Sequence, residues 1–311
     1  MKILQVLAPY RYEILDVPTP APGPGEVLMR IAAVTICSQW DLHLHHNEPM
    51  FVGHRFAYPY PSGQPGHEAT GTIEAVGEGV TGLAPGDRVS AWRDTGAGCY
   101  AQYAVHKAEN VIRVPDDLPD AALAPVELAM CVGTVFRMLH GMDALRGRCV
   151  GVSGLGAAGL VALQMARAEG AERVIGIDPL PARRELARRL GADDCVDPRA
   201  GSEMPELQTA VDCVGAWSSV SFLLDRATDV LALFGVQRED YIYSPRHNHV
   251  RLCGYQGHSR ASAEYAVELI RAGTLDLAPL VTHQLPLERY GEAIELLETQ
   301  QAVKVCLLPQ E

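Results

Sequence analysis

The feature that most narrows what this chain can fold into is the stretch 148–178. Arg148-Cys149-Val150-Gly151-Val152 reads as a strand, Gly154-Leu155-Gly156-Ala157-Ala158-Gly159 as a tight turn, and 160–169 as a helix ended by Gly170. A second strand over 173–177 ends at Asp178. A bare G-x-G-x-x-G is weak evidence, because glycine triplets arise by chance in turns. Here the triplet lies between a strand and a helix, inside a βαβ unit, with an acid 19 residues after its last glycine. Gly154 permits the turn, Gly156 lets the backbone approach a pyrophosphate, and Gly159 allows the helix to pack closely on the strand. The helix N-terminus favours the negative charge. The whole turn, with Leu155, Ala157 and Ala158 between the glycines, is thus a candidate dinucleotide site. Asp178 suits a ribose diol and repels a 2′-phosphate, which favours NAD(H) over NADP(H); the competing reading is a cap on the helix after Pro179. Arg183, five residues on, suits the adenine or a phosphate and keeps NADP(H) open.

The doubly wound pattern continues downstream. The sequence predicts a strand over 210–215, a helix over 218–227, an apolar run over 230–236 and a strand over 250–254, while the polar and aromatic 238–249 has no assignment. An amphipathic helix over 262–272 stops at Gly273. Upstream, residues 1 to about 120 alternate short β-rich runs with Pro/Gly punctuation, as at Gly25-Glu26 and Gly86-Asp87, and suggest a compact β-barrel-like domain. The pattern turns helical from 120 to 141. After 277, a β-rich run to 284, a helix over 287–299 and a strand over 304–308 return to the style of the N-terminal region. The expected division is therefore a domain of 1–124 completed by 263–311, and an α/β domain of 125–262.

Composition removes several classes of function. The 311 residues, 48% of them apolar, suffice for two cores. A formal net charge of −12 without any Lys/Arg run argues against a nucleic-acid binder, since phosphate contacts need a positive patch. The start MKILQVLAPYRYEILD reads as a strand with charges at Arg11, Glu13 and Asp16, not as a signal peptide, and no run approaches the ~18 apolar residues of a membrane span. Eight scattered cysteines without a C-x-x-C pair fit reduced thiols. The expectation is a cytoplasmic protein that acts on a small molecule, with no membrane or nucleic-acid partner.

One run carries side-chain chemistry. Gly66-His67-Glu68 puts an imidazole beside a carboxylate, and Cys37 lies upstream in TICSQWDLH. A ring nitrogen, a thiolate and a carboxylate oxygen suit Zn²⁺, which in catalytic sites keeps about three protein ligands and one open position. Between Cys37 and Gly66 the chain reads as loop, crowded with His43, His45, His46 and His54 and with Tyr58-Pro59-Tyr60-Pro61. Trp40, Tyr58 and Tyr60 suit a partly apolar or sugar-like substrate, and equally suit packing of the loop.

The Cys37 region, the run from Pro65 to Val89 and the GLGAAG turn, in that order, resemble the medium-chain, zinc-dependent alcohol/polyol dehydrogenases over essentially the whole chain. The most specific part is G-H-E-x-x-G-x-x-x-x-x-G-x-x-V, met by Gly66, His67, Glu68, Gly71, Gly77 and Val80, with GDRV following. The resemblance implies a GroES-like zinc domain and a Rossmann cofactor domain. It also implies zinc bound by Cys37 and His67, with Glu68 a ligand or its exchange partner. Glu127 resembles the carboxylate that the sorbitol and threonine dehydrogenase branches place near the metal, with Cys131 a substitute. Thr134 would face the nicotinamide, and Val214-Gly215 corresponds to the strand end beneath the cofactor. Members are dimers or tetramers, so a homo-oligomer is implied.

Three departures qualify the likeness. The family's structural zinc uses closely spaced cysteines after the GDRV strand, where this chain has only Cys99, so one zinc per chain is expected. The usual C-x-S-D-x-H reads Cys37-Ser38-Gln39-Trp40-Asp41-Leu42-His43, one residue longer, which leaves the proton relay to Ser38, His43 or water. Asp41 is either a residue that orients a ligand or a turn cap. His45 and His46 match no family role and read as a solvated loop. The implied chemistry is reversible hydride transfer between an alcohol and NAD, zinc acting as Lewis acid. The rivals are a zinc-free, NADPH-linked quinone or enone reductase on the same scaffold, and a non-catalytic nucleotide-binding protein.

Overall fold

The computed structural model describes residues 1–93, 98–201, 204–237 and 239–311. They form two compact units, one of Met1–Met130, Ser259–Val267 and Asp276–Glu311, the other of Cys131–His258 and Glu268–Leu275.

The second unit is built on six parallel strands. Across the sheet they run Asp194–Val196, Arg173–Ile177, Cys149–Ser153, Leu207–Asp212, Ala227–Leu233 and Arg251–Gly254. The chain thus starts at the centre, winds to one edge, returns and winds to the other. Strand order reverses between Cys149–Ser153 and Leu207–Asp212, where such sheets open a crevice at the carboxyl ends of the strands. Buried on both faces, the inner strands are nearly continuous apolar runs: Val150, Val152, Val174, Ile175, Ala210 and Val211 are closed to solvent. The three-residue strand Asp194–Val196 was not legible in the sequence. The unassigned segment 238–249, of which Arg238 lies outside the described residues, folds back on the second unit. Glu239 accepts from the Trp217 N–H at the start of helix Trp217–Leu224, and Tyr241 stacks on Trp217 and donates to the Gly215 carbonyl (2.6 Å).

The first unit holds a seven-stranded mixed sheet, in order Val281–Pro286, Lys304–Leu308, Glu26–Thr35, Glu68–Val76, Arg88–Ala91 and Val111–Arg113, with Tyr103–Lys107 also paired to Glu26–Thr35. Its core gathers Leu4, Met29, Ile31, Ile36, Leu44, Ile73, Tyr100 and Tyr290, all essentially closed to solvent. Residues 1–16 form a hairpin, Lys2–Ala8 with Arg11–Asp16, rather than one strand; Tyr10 makes the turn at φ +61°.

Two further expectations need correction. The segment after Cys37 is not a loop throughout: Ser38–His46 is an α-helix that ends on Asn47 in the left-handed region (φ 58°, ψ 36°). The region 120–141, in which the helices Asp120–Leu123 and Val126–Gly141 lie, does have the length and apolarity of a membrane span, contrary to the sequence reading. Of its most apolar 18 residues, 67% are buried within the protein, as in a core helix.

Candidate functional site

Strand register explains how the proposed ligands meet. Thr35, the last residue of its strand, pairs antiparallel with Glu68, the first residue of the next. Cys37, two residues beyond Thr35, and His67, one before Glu68, therefore emerge at the same end of the sheet. Strand Lys304–Leu308 flanks the other side of Glu26–Thr35 with Cys306 opposite Thr35, so Lys304 reaches the same corner. The donor atoms of Cys37, His67 and Glu68 all lie within 4.8 Å of one another.

Each donor is held from behind. His67 Nδ1 donates to the Pro65 carbonyl (2.5 Å), which leaves Nε2 as the candidate ligand nitrogen. Glu68, 1% exposed, accepts from the Thr35 hydroxyl (2.6 Å) and is ion-paired to the equally buried Lys304, whose ammonium also donates to the Ile36 carbonyl (3.0 Å). Burial works against the charged ring of His67. The hydrogen bond and charge of Cys37, with the charges of Glu127 and Glu68, outweigh it and hold the pKa well above the ordinary histidine value. Burial likewise opposes the Lys304 charge but is outweighed by Glu68 first, then Cys37 and Glu127, so its pKa is raised.

This corner fits a zinc ion. Tetrahedral zinc with N, O and S ligands at about 2.0–2.3 Å spaces them about 3.3–3.8 Å apart, which is compatible with donors that all lie within 4.8 Å of one another. As a metal ligand Cys37 would be a thiolate, and with the carboxylates of Glu68 and Glu127 it would bring three negative charges to a corner where Lys304 supplies one positive charge. A divalent cation relieves that imbalance. Glu127 is buried and near enough for its charge to act on His67, but it is not one of the three convergent donors. Cys131 lies one turn further along the same helix, its Sγ 3.4 Å from His258 Nδ1.

The remaining residues of this unit are placed as follows. Cys37 is the N-cap of helix Ser38–His46 and Ser38 its first residue, half-buried. Asp41 is closed to solvent, and its carboxylate accepts from the hydroxyls of Tyr100 (2.8 Å) and Tyr290 (2.7 Å). Burial pushes its pKa up to about 6, against the pull of Tyr290, Tyr100 and His67. The His43 ring donates through Nδ1 to the Gln39 carbonyl (2.6 Å). His46 is engaged with Tyr10 (2.6 Å) and Glu298 (2.8 Å) at the surface. Tyr58 donates to the Leu44 carbonyl and so packs the loop, while Trp40 stands edge-on to His54 and Phe56. In the segment before Cys99, residues 94–97 lie outside the described residues; Cys99 itself is buried, its Sγ 3.6 Å from His106 Nε2.

In the second unit the glycine turn shows why each glycine stands where it does. Gly154 has φ +85°, and a Cβ on Gly159 would lie 1.8 Å from the Gly154 carbonyl oxygen. A Cβ on Gly156, the N-cap of helix Ala157–Ala168, would meet only an Arg183 nitrogen at 4.0 Å. The turn is closed where helix meets strand and open where a pyrophosphate would approach. Leu155, between these glycines, is fully buried. Asp178, 2% exposed, accepts from the backbone N–H groups of Leu155 and Leu180 (both 2.8 Å), with Arg183 at 3.7 Å. Asp178 thus holds the turn before helix Pro181–Arg189 and does not cap that helix, whose N-cap is Leu180 with no side-chain cap, and each carboxylate oxygen retains a lone pair. Asp212 receives the N–H groups of Gly215 (2.8 Å) and Val214 (3.4 Å) and the Ser219 hydroxyl (2.6 Å), and so sets the strand end that carries Val214. The Thr134 hydroxyl is buried with no hydrogen-bond partner among the described residues, as a donor awaiting a ligand would be.

Sequence reasoning missed four residues: Lys304 and Thr35, which hold Glu68, and Tyr100 and Tyr290, which hold Asp41. A lysine opening the apolar run Lys304–Leu308 was the one local hint.

Known proteins resemble this chain. The alcohol dehydrogenase GroES-like domain family matches residues 23–116, and the zinc-binding dehydrogenase family residues 157–271. An L-threonine 3-dehydrogenase of Bacillus subtilis is 30% identical, covering 95% of this chain and 94% of that protein. A sorbitol dehydrogenase of Gallus gallus is 29% identical over 93% of this chain and 91% of its own. The crystal structure of a 2R,3R-butanediol dehydrogenase from Bacillus subtilis superposes with a TM-score of 0.86 over 99% of both chains at 20% identity, which speaks to fold. With donors converging beside one sheet, a glycine turn opening the other, and relatives matched end to end, the chain belongs to the zinc-dependent alcohol/polyol dehydrogenases of the medium-chain dehydrogenase/reductase family.

Proposed function

We propose that this alcohol dehydrogenase transfers a hydride reversibly between a secondary alcohol or polyol and NAD, with one zinc ion per chain. The convergence of Cys37, His67 and Glu68 within 4.8 Å carries the reading. When bound, zinc supplies Lewis acidity toward the substrate oxygen and the nicotinamide accepts the hydride. The chain's own residues do the rest. Cys37, His67 and Glu68 hold the metal, Lys304 and Thr35 orient Glu68, and Glu127 supplies a nearby carboxylate as exchange ligand or base. Ser38 and His43 are the candidates for carrying the alcohol proton outward. The turn Gly154–Gly159 holds the pyrophosphate, Asp178 the ribose diol, and Thr134 and Val214-Gly215 the nicotinamide.

The first unit thus serves as the GroES-like metal domain and the second as the cofactor domain. The single zinc follows from Cys99 standing alone where the family's second site has a cysteine cluster. NAD is favoured because Asp178 is a buried carboxylate where a 2′-phosphate would lie, although Arg183 stands within 3.7 Å of it. The outer edge of strand Arg251–Gly254, with Leu252 exposed, suits association with a second copy.

Metal analysis of the purified protein together with a panel of secondary alcohols and polyols tests the reading, with NAD⁺ and NADP⁺ compared by absorbance of the reduced cofactor. One zinc per chain and turnover with NAD⁺ are expected. A purified protein with no stoichiometric zinc and no turnover of the alcohols would overturn it in favour of the quinone or enone reductase.

A further inference from the structure

The carboxylate of Asp41 joins three segments that are remote in sequence: its own carries Cys37, and that of Tyr100 lies along the segment leading to His67. Asp41 lies one helical turn beyond Cys37, its N–H donating to the Cys37 carbonyl (2.9 Å). Cys37 makes no side-chain cap to that helix, so the place of its sulfur depends on how the helix start is held. Tyr100 gives one Asp41 oxygen its hydroxyl, and its backbone lies along the segment leading to His67. There Tyr100 N–H donates to Gly63 (3.1 Å) and Cys99 N–H to Gly66 (2.8 Å). Its ring fills the space beside Gly66, where a Cβ would come within 2.8 Å. Tyr290 serves the other oxygen and opens helix Tyr290–Glu298, whose far end, Glu298, pairs with His46 at the far end of the Cys37 helix. All three side chains of the clamp are closed to water.

We propose that Tyr100 and Tyr290, acting through Asp41, are positioning residues that set the separation of Cys37 and His67, a role that rests on the zinc reading above. Metal distances tolerate only about ±0.2 Å, so the loss of one phenol hydroxyl, which leaves a buried carboxylate oxygen to find another partner, displaces the helix start by enough to matter.

The test replaces zinc by Co²⁺ in Tyr100→Phe, Tyr290→Phe, Asp41→Asn and the control Tyr12→Phe. The Tyr12 ring lies 5.2 Å from that of Tyr290, but its hydroxyl goes to the Glu288 carbonyl. The readouts are the thiolate-to-cobalt charge-transfer band and metal affinity by chelator competition. Tyr100→Phe and Tyr290→Phe are expected to weaken the metal about 10–100-fold and to shift the band, with Tyr12→Phe unchanged. Asp41→Asn is expected to do the same and to make a further Tyr290→Phe change silent; it supplies the readout if a ring variant does not fold. Wild-type affinity and band in both tyrosine variants, whatever their unfolding temperatures, would overturn the proposal alone. A wild-type protein that takes up neither zinc nor cobalt would overturn the zinc reading as well.

Discussion

The two candidate sites of this protein are made in opposite ways. In the first unit, recognition rests on side chains brought from three strand ends, and ions hold one another in place: Glu68 is closed to solvent because Lys304 and Thr35 satisfy it. In the second, it rests on the backbone of six consecutive residues, and the constraint is steric, a Cβ on Gly159 having 1.8 Å of room. A site of the first kind fails through an uncompensated charge, and one of the second through a clash. The difference teaches that damage to the metal corner spreads into fold stability, whereas damage to the open part of the turn stays local to binding.

The sharpest challenge to this contrast is Cys37→Ala or His67→Ala. Each is expected to abolish stoichiometric zinc and reduce turnover to background while NADH binding, followed by fluorescence, is retained; loss of both functions together would break the contrast. Next in size is Lys304→Met, which strands a buried carboxylate. It is expected to cost about 3–5 kcal/mol in urea unfolding of the metal-free protein, and adding Glu68→Gln is expected to restore most of it. A loss within about 0.5 kcal/mol would mean that the ion pair does not hold this corner.

The glycines sharpen the other half. Gly159→Ala is expected to destabilise by about 1–3 kcal/mol through overpacking. Gly156→Ala, whose Cβ enters open space, is expected to leave stability within about 0.5 kcal/mol but to weaken NADH binding. Equal loss of stability in the two would remove the distinction between the closed and open sides of the turn.

The smallest effect concerns pH. Burial raises the Asp212 pKa above 3.8 more than the hydroxyl of Ser219 and the N–H groups of Gly215 and Val214 lower it. The folded state therefore holds this proton more tightly than the unfolded chain does. The stability it contributes is complete below 3.8 and is lost as pH rises through the raised value. The deficit of Asp212→Asn relative to wild type is expected to shrink between acidic and neutral pH in paired urea titrations, and a deficit that grows would contradict the assigned direction.

Legibility followed the same division. The strand, turn, helix and second strand from Cys149 to Ile177 were readable because each signal is contiguous, and boundaries moved by only a few residues, the helix beginning at Ala157 rather than at 160. The short strand Asp194–Val196 escaped because three residues carry no period. Helix Ser38–His46 escaped for another reason. Its buried residues include Asp41 and His43, so no apolar stripe marks it, and tertiary partners hold it instead.

The sequence by itself determined the glycine turn and the candidate metal donors, since glycine conformations and ligand chemistry are properties of the residues themselves. Tertiary structure alone decided what grips those donors. Lys304 lies 236 residues from Glu68 and Tyr290 lies 249 from Asp41, and they meet only because antiparallel register and helix packing return the C-terminal segment to the same corner. Local periodicity encodes which face is buried; it does not encode which remote strand or helix will cover it.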